Sequence, residues 1–482
     1  MIVLSRGASL IFYPASTPLM DKDLASCAVE EALSLGASFA EVRVEDTIRE
    51  LITYVNGRVV ALGFQRSRGA GVRVMYEGSV GFASTSDFSK EGLKAAAKEA
   101  IKAARALAPG DRRLAPPPLR SQVFRIDGVK LHPSQASLEE KLDLVRRAYK
   151  VAKEGGAASA TARYGSHYGS VLVCTSEGVE VEVERLVVGV SSSVVLREAD
   201  RVGDGFETHG ASKGLEAFQG EGSPEAVAER ALSHARDALK ASRPPAGYLT
   251  VITRPELTGV FAHESFGHLT EGDFVAAGTS PLTGKLGETI ASEEVTIVDS
   301  GFDERGGYLL LADDEGVPTR KAVLVEKGVL KGYLHSRESA ALLGMEPTGN
   351  GRAQSFAHEV IVRMRNTFFE AGSWSEEEII RETKHGLVLD KPAGGQVEED
   401  GTFTFNARIG YLIENGEIKE PVRDVVLAGN ILEMLKHVDA ASKSVLITTS
   451  PFGGCGKMGQ MVHVGDGGPT LRTKLLVGGE KR

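Results

Sequence analysis

A chain of 482 residues exceeds what one compact core usually holds, so two or three domains are expected. Acidic residues outnumber basic ones, 65 to 56, and no dense Lys/Arg run appears, which argues against nucleic acid as the main partner. Three cysteines exclude a disulfide framework and fit a reducing cytoplasm, and no apolar run reaches the ~18–20 residues that span a membrane.

Residues 1–20, MIVLSRGASLIFYPASTPLM, carry one early Arg6 and an apolar patch broken by Ser, Gly and Pro. They read as a disordered or mis-assigned start, with Met20 a plausible initiator. Residues 21–245 read as an α+β region in two parts, divided near the Pro-rich stretch 108–120. In it, LITYVNGRVVALGF pivots on Asn56-Gly57, a hairpin signal. Leu93, Ala97, Ala100, Ile101, Ala104 and Leu107 share one helical stripe. Ser137 with Glu140 forms a capping box before a helix striped by Leu138, Leu142, Val145 and Ala152. Ser223-Pro224 opens a third helix.

The run ASRPPAG places the main boundary near residue 245. Residues 246–482 read as a β-rich domain that holds the candidate chemistry. YLTVIT, 248–253, has a buried-strand pattern. Thr253 with Glu256 reads as a capping box and Pro255 as a first-turn residue, so a helix starts near Arg254. Ser375 with Glu378 opens a fourth helix, and Asp400-Gly401 and Asn415-Gly416 turn the later strands. The fold class is α+β, with a strand-dominated C-terminal half and no internal repeat of fixed period.

HESFGH, 263–268, follows on that helix. Adjacent His263 and Glu264 are what a zinc hydrolase needs: a neutral imidazole to bind metal and a carboxylate to take a proton from water. The second histidine, His268, is five residues on rather than four. On a straight α-helix that spacing puts the two about 140° apart. They share a metal only if the helix ends early, carries an i→i+5 bulge, or kinks at Gly267. The plain alternative is two unrelated histidines near a helix end.

A zinc site also needs a third protein ligand. Glu271 and Asp273 follow closely; His335, His358 and Cys455 lie farther off. Cys455 sits in a glycine-rich stretch, SPFGGCGKMGQ, that reads as an exposed loop, and Lys457 beside it would favour the thiolate. Cys27 and Cys174 sit on a helix stripe and in a strand, as small core residues do. Gly456-Lys457 is followed by Met458 rather than Ser or Thr, which rules out a phosphate-binding P-loop.

The blocks FAHESFGHLTEGDF, DDEGVP (313–318), PTGNGRAQSFAH (347–358), GGQV with GTFTFNARIGYLIENG (394–416) and GGCGKMGQMVHVGDGGPTLR (453–472) together resemble the TldD/PmbA metallopeptidases, in the TldD branch. The resemblance runs from about residue 22 to 479. It implies that H-E-x-x-x-H is the working motif, with zinc bound by His263, His268 and Cys455 and with Glu264 as catalytic base. It also implies hydrolysis of short or unfolded peptides inside a cavity. The chain would act in the cytoplasm as a dimer, with a TldE/PmbA-type subunit or with itself. No role is assigned to Asp314, Arg352 or His358. The competing readings are a non-catalytic, zinc-stabilised peptide- or partner-binding module and a zinc amidohydrolase for small molecules.

Overall fold

The computed structural model describes residues 21–479. The expected irregular start, residues 1–20, lies outside the described residues. No described helix is long and apolar enough to cross a membrane.

Two sheets organise the chain. The first is built from β1 (Phe39–Val55), β2 (Arg58–Tyr76), β3 (Ser79–Thr85), β4 (Ser121–Phe124), β5 (Ser159–Thr175), β6 (Glu180–Glu198) and β7 (Arg201–Ala211). Its order is β3-β2-β1-β5-β6, with β4 and β7 both paired to β6. The helices are α1 (Lys22–Ser34), α2 (Lys90–Arg105), α3 (Leu138–Glu154) and α4 (Pro224–Lys240). The element order α-β-β-β-α therefore occurs twice, and the two units meet where β1 pairs antiparallel with β5. That duplication is one of form and leaves no fixed period in the sequence.

Local chemistry sets the turns and caps. Asn56 and Gly57 both take positive φ, 47° and 88°, the two-residue turn that matches strand twist. The capping boxes at Ser137/Glu140 and Ser375/Glu378 both form, and Ser223 caps α4 with Pro224 in its first turn. Two stripe residues fall outside their core. α2 ends at Arg105, so Leu107 is exposed, and Leu138 in the first turn of α3 is exposed as well.

The C-terminal sheet begins with β8 (Gly247–Thr253). Residues Leu387–Leu389 pair parallel to β8 on one side, and Leu471–Val477 pair antiparallel on the other. The strands His385–Val397, Thr402–Glu414 and Glu417–Asn430 run between these two neighbours as an antiparallel meander. Strand Gly465–Gly478 pairs with the last of them and with β8, so five strands close into a ring. Closure removes open edges along the paired stretches.

After β8 comes α5 (Pro255–Val260), whose aromatic continuation packs inward. The Phe261 ring stands 5.1 Å from Phe403 and 5.4 Å from Phe405. The predicted capping box at its start does not form. Arg254 occupies the cap position, and its side chain turns to Glu376 and Asp390 instead of capping the helix. Thr253 instead bonds Thr258 through their hydroxyls at 2.7 Å, and Glu256 pairs with Lys391. The part-buried ammonium of Lys391 competes for the glutamate more strongly than a backbone N–H does.

Candidate metal centre

From Phe261 to Phe266 the helix widens to i→i+5 bonding, and Gly267–Thr270 closes with a tight 3₁₀ turn. Of the three routes that could bring His263 and His268 together, the chain takes the bulge. Five residues make roughly one turn of such a helix, so both imidazoles leave on one side. Their rings lie 5.6 Å apart at 83°. Gly267 keeps helical angles, so its use is spatial. A Cβ there would stand 2.0 Å from the Met364 sulfur.

The sulfur of Cys455 comes from the far end of the chain and lies 3.4 Å from Nε2 of His268. Donor atoms of His263, His268 and Cys455 all fall within 4.8 Å of one another. Cys455 is not on an exposed loop. It is 1% exposed and begins the short strand Cys455–Lys457, paired with Gln460–Val462. Arg363 clamps that ribbon from behind by donating to the carbonyls of Cys455 and Gln460. Nor does Lys457 serve the thiolate. Its ammonium is held by Asp273 at 2.7 Å and Glu271 at 3.1 Å.

Without an ion, the three groups share charge as a thiolate beside protonated imidazoles, and an ion bound there would take the place of the imidazole protons. Burial alone would raise the Cys455 thiol, but His263 and His268 outweigh it and bring it down to about 5. Burial likewise opposes charge on His263, yet Cys455 overrides it and lifts the imidazole to about 9. Both ring nitrogens of His263 are buried without a hydrogen-bond partner among the described residues. Such orphaned nitrogens are costly unless something binds them. A thiolate, two imidazoles and a missing partner fit a tetrahedral ion such as zinc.

Of the other candidate ligands, Glu271 is second to the site: its carboxylate meets Nδ1 of His268 at 2.8 Å and leaves Nε2 facing the sulfur. Asp273 is taken by Lys457. His335 contacts Ser339 and Met345, and His358 pairs with Ser355, so neither joins the cluster. Glu264 is half exposed. Its carboxylate stands 3.9 Å from Nε2 of His268, on a cavity of about 480 Å³ walled by Leu269, Phe274, Val397 and Met458. The sequence offered Glu271 as a third ligand rather than as an orienting group, and the clamping Arg363 was missed. Glu271 had a signal, an acid three residues after a candidate ligand, whereas Arg363 had none.

Family models described as PmbA/TldA metallopeptidase domain 1, central domain and C-terminal domain match residues 40–104, 131–239 and 246–479. The chain belongs to the PmbA/TldD metallopeptidase family. It is 38% identical to a metalloprotease of Methanothermobacter thermautotrophicus, over 92% of this chain and 95% of that one. It is 32% identical to a zinc metalloprotease TldD homolog of Saccharolobus solfataricus, over 94% and 99% of the two chains. The crystal structure of TldE from Thermococcus kodakarensis has the same fold, with a TM-score of 0.78 at 23% identity over 94% and 99% of the chains. This PmbA/TldD member is therefore a metallopeptidase with a mixed, strand-dominated α/β architecture.

Proposed function

We propose that this chain is a catalytic, TldD-type member of its family: a zinc peptidase that cuts short or unfolded peptides. In this reading His263, His268 and Cys455 hold one ion and Glu264 is the general base. The supporting observation is the meeting of three donors from two distant segments, beside a carboxylate that faces an open cavity. Bound there, zinc would polarise a scissile carbonyl and acidify water. Glu264 would accept the proton of the attacking water and hand it to the leaving amine. Glu271 fixes the His268 tautomer.

Substrate shape follows from the same cavity. Residues 392–397 pair only with the neighbouring strand Thr402–Glu414, among the described residues, and end at Val397 in the cavity wall. That free edge supports a peptide held as an added strand, by main-chain bonds that tolerate many sequences. The proposed partner is a TldE/PmbA-type subunit or a second copy. Exposed Val60, Leu62 and Phe64 on the β1–β2 hairpin support such pairing.

The test is zinc per chain and peptidase activity in three proteins purified without chelator. About one zinc is expected in the wild type and in Glu264→Ala, and much less in Cys455→Ser. Glu264→Ala should lose activity by about 100-fold or more. Full activity in Glu264→Ala would remove the glutamate from the reaction, and zinc retained by Cys455→Ser would remove the cysteine from the site.

A further inference from the structure

Behind the Cys455 ribbon, between β1, β5 and the C-terminal domain, lies a second and smaller cavity of about 50 Å³. A water needs roughly 10–15 Å³ on this measure, so the space takes a few waters or one small anion. Its lining is unbalanced in charge. Arg43, Arg49, Arg185 and Arg352 face it, against only Glu45 and Asp314.

The hydrogen bonds do not remove that imbalance. Arg43 donates to the carbonyls of Ser355 and His358, at 2.7 and 2.6 Å. Arg352 donates to those of Met364 and His463, at 2.6 and 2.7 Å. Of these arginines Arg185 alone meets a carboxylate among the described residues, Asp314 at 2.9 Å. Glu45 accepts from the Thr47 hydroxyl and the Phe356 N–H, both at 2.7 Å. Arg43, Arg185 and Arg352 are buried, so uncompensated positive charge here is expensive.

Unused donors point the same way. Nε of Arg185 and Arg352 is buried without a hydrogen bond, as is Nδ1 of His167. The two histidine rings lie 5.0 Å apart. Burial and the surrounding arginines keep both neutral, His463 down at about 3, although the backbone of Ser450 and Gly453 pulls the latter the other way. A neutral imidazole can still donate one N–H to an anion.

We propose that this cavity binds a small oxyanion, a carboxylate or phosphate group, between Arg49, Arg185, Arg352 and the His167/His463 pair. The group comes either free from solution or as the end carboxylate of a peptide. Met461 and Val462 of the Cys455 ribbon form one wall, so occupancy stiffens the support of the cluster without touching it.

The full chain would be titrated with sodium phosphate, sodium acetate and sodium chloride at one ionic strength, following the thermal midpoint and calorimetric heat. Dialanine and its C-terminal amide form a second arm. A saturable effect of phosphate or acetate, absent with chloride, is expected. It should weaken by about fivefold or more in Arg49→Gln, the loss of one nearby charge. Saturation by dialanine but not its amide, with the same dependence on Arg49, would name the peptide end as the source. Phosphate or acetate alone would name a free anion. Arg352→Gln should abolish binding. Arg49 is exposed and unpaired with any described carboxylate, so its variant stays informative should Arg352→Gln fail to fold. No saturable effect in the wild type, or one unchanged in Arg49→Gln, would overturn the proposal.

Discussion

Glu271 holds Nδ1 of His268 and is itself held by Lys457, with no exposure to solvent. A carboxylate in that position raises the basicity of the imidazole and fixes which nitrogen faces a metal. Glu271→Gln keeps the shape but loses the charge, and metal affinity should fall about 10- to 100-fold, measured by competition with a chelator. The sequence offered Glu271 as a ligand, and spacing alone could not separate a ligand from a ligand's partner. Other histidines set the acid limit of the fold. His335 is held at about 4 and His463 at about 3, both chiefly by burial. An unfolded histidine takes its proton near 6.5, so below that pH the unfolded chain binds more protons than the native one. The contribution of these two histidines is therefore full above about 6.5 and declines as the pH falls towards 4. Urea midpoints between pH 7.5 and 4.5 should drop, and replacing His335 with an apolar residue of similar size should flatten the curve. An unchanged slope in that variant would acquit His335.

At the scale of elements, the histidine motif was half legible. Its residue types named the chemistry, and its spacing required a broken helix, but sequence could not choose among three breaks. The choice is made by packing: Gly267 sits against Met364 with no space for a Cβ, and Phe261 packs edge-on against the stacked rings of Phe403 and Phe405. Gly267→Ala should cost about 1–3 kcal/mol through overpacking, read as a lower urea midpoint. Trimming the neighbour in Gly267→Ala/Met364→Ala should return part of that loss beyond additivity. Strict additivity would mean the two residues do not clash. The caps at Ser137, Ser223 and Ser375 were readable because each depends on two or three adjacent residues. Thr253/Glu256 failed because its rival, Lys391, arrives from 135 residues away.

Across the whole molecule, β1 shows why the joining of the two sheets was invisible. Its alternation of Val42 and Val44 with Glu41, Arg43 and Glu45 reads as a strand with one wet face. Both faces are buried, because the charged side meets the C-terminal domain. Arg73 bridges Glu41 at 2.7 Å and Glu315 at 2.8 Å, tying the first sheet to a turn of the C-terminal domain. Arg73→Met strands two buried carboxylates and should destabilise the chain by about 3–5 kcal/mol. Adding Glu41→Gln and Glu315→Gln should recover much of the loss, seen by calorimetric unfolding. A single variant as stable as the wild type would mean that the first sheet is held to the C-terminal domain by other contacts.

Cys455 lies 187 residues beyond His268, on a ribbon that leads directly into the strand closing the five-stranded ring. A ribosome making this protein therefore delivers the histidines and Glu264 long before the third donor. Over those 187 residues the nascent chain holds the histidines and Glu264 without the cysteine. On the proposed reading, synthesis of the C-terminal ribbon is itself the event that completes the metal site.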